Sequence, residues 1–146
     1  MSYDFWLTID TGGPEPVSIE PHFNDRHPVL NTDGYAGNVL VTERGYVRSG
    51  NYTSNVSRIW SECLMSEEAS HFDQRVVRLS DLDGELASNV APLLDAAVTW
   101  GIAHLPELEL LNPQNGWGDA RGALTYLWDI QRMCEMHPKA ILRLWY

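Results

Sequence analysis

The chain has 146 residues, a formal net charge of −10 at pH 7, 44% hydrophobic and 21% charged residues. That is ordinary composition for one globular domain, residues 1–146, which at this size buries roughly 68–70% of its unfolded surface and needs no metal or disulfide framework. The acidic balance argues against direct nucleic-acid binding, which needs a basic patch, and no apolar run approaches the ~20 residues of a membrane span.

Tyr3, Phe5, Leu7 and Ile9 alternate with Asp4, Thr8 and Asp10. The alternation predicts a first strand over 3–10, with Trp6 giving its second face some cover as well. Thr11-Gly12-Gly13-Pro14-Glu15-Pro16 ends that strand, and Val17 to Glu20 reads as a short extended piece. Residues 21–37 are rich in turn formers and read as a surface loop. Asn38–Thr42 and Tyr46–Arg48 then predict a hairpin closed by Glu43-Arg44-Gly45. Residues 21–50 thus form a loop-and-hairpin excursion.

A first helix is expected from Asn55, its cap, with Val56, Ile59, Trp60, Cys63 and Leu64 on one face. Ser66–Gln74 is polar, and Arg75–Leu79 reads as a short strand. A second helix is capped by Asn89 and buries Val90, Leu93, Leu94, Ala97, Val98 and Ile102, with Pro106 closing the segment. A third runs from Asp119 to about Met136 and lines its inner face with Ala123, Leu124, Leu127, Ile130 and Cys134. Pro138 stops it, and Ala140–Tyr146 reads as a final strand. The expected fold is α+β: a small sheet holding both terminal strands as neighbours, with about three helices packed on one face.

No residue set carries a complete catalytic signature. Asp10-Thr11-Gly12 after an apolar strand resembles one loop of an aspartic protease, which needs two such carboxylates and hence a dimer. Ile9–Gly13 also resembles the phosphate loop of actin-like kinases, whose two lobes this chain is too short to supply. His22, Asn24, Asp25 and His27 gather within six residues, but a single loop without further donors reads as a solvated turn, so neither a metal nor a cofactor is expected. His104 and His137 stand at helix C-termini, where an imidazolium suits the dipole. Cys63 and Cys134 read as reduced buried thiols. The N-terminus has neither a basic segment nor an apolar core of a secretory signal, so a cytoplasmic setting is expected and the sequons at Asn51 and Asn55 count as chance matches.

Two segments stand out as a candidate ligand site. Asn51, Tyr52, Thr53 and Asn55 offer amide, phenol and hydroxyl groups just before a helix start, where N–H groups lack partners. Asn115 and Trp117, the latter between Gly116 and Gly118, precede the third helix in the same manner. For a small polar or anionic ligand the two segments must lie side by side.

These same segments carry a resemblance. Tyr3–Pro16 (YDFWLTIDTGGPEP), Asn51–Val56 (NYTSNV) with Trp60, Pro92-Leu93-Leu94, Asn112-Pro113, Asn115–Gly118 (NGWG), Gly122-Ala123-Leu124 and His137-Pro138 resemble small uncharacterised proteins of actinobacteria and their phages. The likeness spans most of the chain outside residues 20–50. The relatives pass directly from the Gly-Gly-Pro-Glu-Pro turn to the Asn-Tyr-Thr-Ser-Asn segment, so the excursion marks a lineage-specific attachment. Lys139 is the single lysine among 10 basic residues, which fits a GC-rich genome. The family has no established activity and lends no catalytic residue. It implies a host-cell cytoplasm and a role in host takeover or counter-defence. The leading expectation is therefore a non-enzymatic phage-type accessory protein that binds a host protein through its acidic surface and the added hairpin. The alternative is a small-ligand binder for a nucleotide signal, and the third a hydrolase. An exposed apolar surface around Trp145 would add self-association, making a homo-oligomer.

Overall fold

The computed structural model describes residues 2–10, 12–14, 17–19, 27–30, 39–41 and 47–146. The fold is α+β. Its sheet is antiparallel and has β1 (Ser2–Ile9) as its hub, with β2 (Val17–Ile19), β3 (Val39–Val41), β4 (Val47–Thr53) and β5 (Ile141–Trp145) around it. β5 takes one edge of β1, setting Phe5 opposite Leu144 and Leu7 opposite Leu142. The other edge is shared end to end. β4 pairs with the first half of β1, Tyr3 opposite Tyr52, and β2 with the second half, Leu7 opposite Ile19. The two terminal strands are neighbours, as expected, and each supplies the other's backbone partners. Gly50 is the extra residue of a bulge, since Asp4 faces Asn51 while Phe5 faces Ser49.

β3 joins β4 with Val41 opposite Val47, so the expected hairpin exists; its closing turn at 43–45 lies outside the described residues. The free edge of β5 is closed by the chain at 83–86. Gly84 N donates to Leu142 O at 2.8 Å, Leu142 N to Glu85 O at 2.9 Å, and Leu144 N to Asp83 Oδ1 at 3.0 Å. Closing it removes a ready template for pairing with another chain.

Helices α1 (Ser57–Leu64), α2 (Glu67–Ser70), α3 (Ala87–Ala103), α4 (Leu105–Glu109) and α5 (Ala120–Met136) form the second layer. It covers the sheet face that carries Phe5, Leu7, Leu142 and Leu144, all buried. Tyr126 of α5 fixes the two layers: its ring meets Phe5 edge-on at 5.5 Å, and its hydroxyl donates to Tyr3 O at 3.0 Å. The expected inner faces of α3 and α5 are buried, except that Ile102 is half-exposed. Gly101 lets α3 come close to its neighbours. A Cβ there would lie 2.4 Å from Leu124 Cδ2 of α5 and 3.1 Å from Cys63 Sγ of α1.

Local expectations needed four corrections. Arg75–Leu79 is not a strand, because Asp81 collects the N–H groups of Val77 at 3.0 Å and Arg78 at 2.8 Å and winds Leu79–Leu82 into a 3-10 turn. Ser66 caps α2 inside the polar stretch by accepting from Ala69 N. α3 starts at Ala87 rather than after Asn89, because Ala87 N and Ser88 N find acceptors in Ala140 and Pro138. Pro106 opens α4 instead of closing a segment, a position where its missing N–H costs nothing. His104 and His137 do cap the ends of α3 and α5.

Cys63 and Cys134 are free and buried, and burial pushes both thiols up to about 12. The thiolate is the reactive form. A thiol reagent at about pH 8 is therefore expected to label the native protein only as fast as it unfolds, and to label both cysteines at once in denaturant. Rapid labelling of the native chain would contradict the packing of α1 and α5.

Candidate functional site

The expected polar loop at 51–55 is not a loop. Asn51–Thr53 is the end of β4, paired with Asp4, Tyr3 and Ser2, and Ser54–Val56 is one 3-10 turn leading into α1. Thr53 rather than Asn55 is the cap, with its Oγ1 accepting from Asn55 N at 3.2 Å. Tyr52 faces the core, only 4% exposed, with its ring near Trp60 and Tyr126. Asn55 is exposed.

The second segment is a loop with a closed base. Asn112 Oδ1 accepts from Ala120 N at 2.8 Å, and Glu109 pairs with Arg121 at 3.3 Å. These two contacts hold the end of α4 against the start of α5. Within the loop, Gly116 N donates to Pro113 O, and Asn115 Oδ1 accepts from Trp117 N at 3.0 Å. Gly116 (φ 76) and Gly118 (φ 90) flank Trp117 in the left-handed region, where a side chain is strained. Trp117 is thereby carried outward, 69% exposed, and Leu110 on the same connector is 85% exposed.

The two segments do lie side by side, in direct contact. Tyr52 Oη accepts from Asp119 N at 3.1 Å. A Cβ on Gly118 would fall 2.6 Å from Thr53 Cγ2 and 2.9 Å from Val56 Cγ1. Gly122 packs still closer: a Cβ there would lie 2.0 Å from Tyr52 Oη. Glycine is required at both positions because a phenol and a threonine methyl occupy the space.

This joint spends the donors on which an anion site at the start of α5 would rely. Asp119 N goes to Tyr52, Ala120 N to Asn112, and Gly122 N to the Asp119 carboxylate at 2.7 Å. Of the six residues expected at the site, Thr53, Asn55, Asn115 and Trp117 remain at or near the surface, and Thr53 abuts the second segment at Gly118. Tyr52 is part of the joint itself, and the side chain of Asn51 lies outside what is described.

The other sequence candidates have structural employment. Asp10 Oδ1 accepts from Gly12 N at 2.8 Å, closing its own turn ahead of a glycine at φ 82. Of the four possible ligands at 22–27 only His27 is described, and its Nδ1 accepts from two backbone N–H groups. Among the described residues no cluster of His, Cys, Asp and Glu has a metal-binding arrangement, and no helix is long and apolar enough to cross a membrane.

A groove of about 360 Å³, with Phe72, Val76, Leu82, Glu85, Asn89 and Leu93 in its lining, opens beside α3. Sequence reasoning gave no sign of it, because its walls come from the 72–76 connector, the 79–82 turn, Glu85 and α3, which share no common pattern. Its charged pair is internal: Arg75 binds Asp73 through both Nε and Nη2 at 3.1 Å.

No family model matches the chain, and neither a curated protein nor a solved structure matches it.

Proposed function

We propose that the chain is a non-enzymatic accessory protein of phage type that docks on a host protein, with Trp117 as the central contact. The observation that carries this reading is a large aromatic ring held out in solvent by a rigid mount. Two left-handed glycines, the Asn115 turn and the Asn112–Ala120 closure fix the loop before any partner arrives. A contact fixed in advance loses less entropy on binding, and tryptophan dominates the residues that carry interface energy. Exposed Glu107 and Asp119, on a chain of net charge −10, favour a partner surface bearing lysine and arginine around an apolar slot.

The nucleotide-signal reading has one observation in its favour, the contact of Thr53 with Gly118 of the Trp117 loop. The same panel of variants separates the two. Trp117→Ala is expected to change stability by no more than about 0.5 kcal/mol, since the ring leaves no core space behind. It is expected to weaken partner binding by about 2 kcal/mol or more, roughly thirty-fold, and the wild-type affinity should fall with added salt. Affinity capture from host lysate with wild type and Trp117→Ala, followed by titration of the retained protein, checks this. An identical set of captured proteins from both forms would defeat the docking reading. A thermal shift with nucleotides or cyclic nucleotides that Thr53→Ala abolishes would establish the small-ligand reading in its place.

A further inference from the structure

Residues 28–30 form a turn against α5, and one histidine ring holds it there. His27 Nδ1 accepts hydrogen bonds from Val29 N at 3.1 Å and Leu30 N at 3.3 Å. A ring nitrogen that accepts carries no proton, so these contacts belong to the neutral imidazole protonated at Nε2. The ring stands edge-on to Trp128 of α5 with centroids 4.7 Å apart. Leu30 is fully buried. Arg121 completes the joint, its Nη1 donating to Leu30 O at 3.1 Å and Val29 O at 3.4 Å.

We infer that His27 is a pH-operated latch, docking residues 27–30 on α5 while neutral and releasing them once protonated. Protonation puts a third donor where two N–H groups already converge, and it leaves Val29 and Leu30 without their acceptor. It also adds a cation beside a helix whose charged side chains near the turn, among the described residues, are Arg121, Arg132 and Asp129. Asp129 is already engaged by Arg132, and the Arg132 guanidinium lies 3.5 Å from the centroid of the Trp128 ring. Arg121 is likewise engaged by Glu109 of α4, so each nearby carboxylate is already paired with an arginine and the new cation meets two guanidinium groups.

Burial first, and Arg132 second, hold the imidazole below its usual 6.5. A base whose pKa is lower when docked binds its proton more readily when released. Docking is therefore at full strength above the released value of 6.5 and is lost as pH falls from there through the docked value.

Amide exchange on the full chain, read by NMR as protection factors, tests the latch. Protection of Val29 and Leu30 should fall about tenfold or more between about pH 7.5 and about pH 5, while that of Leu94 in α3 holds. His27→Asn keeps an acceptor and loses the titrating ring, so its protection should be the same at both pH values. His27→Ala should be poorly protected at both. Constant protection in the wild type, loss by the Asn variant in step with it, or wild-type protection in the Ala variant would each overturn the inference.

Discussion

Trp60→Ala is expected to destabilise the protein by about 3–5 kcal/mol, the range for removing a large aromatic side chain from a core. Trp60 is fully buried at the meeting point of both layers. Its ring meets Tyr3 of β1 edge-on at 5.1 Å and lies 5.5 Å from Tyr126 of α5. Its Nε1 donates to Ala123 O at 3.0 Å, from α1 across to α5. Truncation opens a cavity between three elements that cannot all close in together. Against a total stability of about 5–15 kcal/mol, the loss is a large share of what holds the domain. Urea unfolding should show a lower midpoint with an unchanged slope. Trp60→Phe keeps most of the buried area and loses the hydrogen bond, so a smaller cost of about 1–2 kcal/mol is expected. Equal costs for the two variants would mean that the cavity contributes nothing.

Gly122→Ala is the second large effect, and its sign is opposite to helix propensity. Alanine in place of glycine within a helix ordinarily gains about 1 kcal/mol. Here the added Cβ would lie 2.0 Å from Tyr52 Oη and 2.7 Å from Tyr52 Cζ. The ring has little room to retreat, because Trp60 and Tyr126 stand behind it and its hydroxyl is bound to Asp119 N. Overpacking of this kind costs about 1–3 kcal/mol, so a net loss of up to about 2 kcal/mol is expected. Tyr52→Phe removes the nearest atom. Alone it should cost about 1 kcal/mol for the lost hydrogen bond. Combined with Gly122→Ala it should cost less than the two together, with a coupling of about 0.5 kcal/mol or more. Strict additivity in the thermal or urea cycle would place the phenol elsewhere.

The residues of this joint also show where the sequence was readable. Alternation at 3–10, the apolar run at 140–146, and the helical spacing from Val90 and from Ala123 name the layers and, Ile102 apart, the inner faces of the two long helices. Those signals are local, repeated over several residues, and need only one buried side. Asn51-Tyr52-Thr53 has no such signal. It is polar and resembles a capping loop, yet it is strand because Ser2, Tyr3 and Asp4 supply its backbone partners. Tyr52 is core because Gly122, some 70 residues later, leaves the space for it. The contact is a pairing of distant residues, and neither partner announces the other. The 79–82 turn was missed for a related reason. Val76, Val77 and Leu79 have strand-like composition, but one carboxylate, Asp81, binds two backbone N–H groups and decides the local winding.

Tryptophan placement was legible only in part. The chain has six, and of these Trp60 alone is buried, while Trp6, Trp100 and Trp128 are half-covered and Trp117 and Trp145 are exposed. Trp100 stacks on His104 at 4.2 Å, and Trp128 lies under Arg132, so two of the half-covered rings serve as mounts for polar groups. Trp117 differs from Trp145 in being held by a closed loop rather than at a strand end. That difference, and not hydrophobicity, is why the proposed docking contact is placed at Trp117.

The most direct measurement places a photo-crosslinking amino acid at position 117 and, as a control, at exposed Arg58 on α1, in the intact protein expressed in host cells. A discrete adduct with one host protein from position 117, and none from position 58, is the predicted result. No adduct at 117, or the same adducts from both positions, would contradict the account.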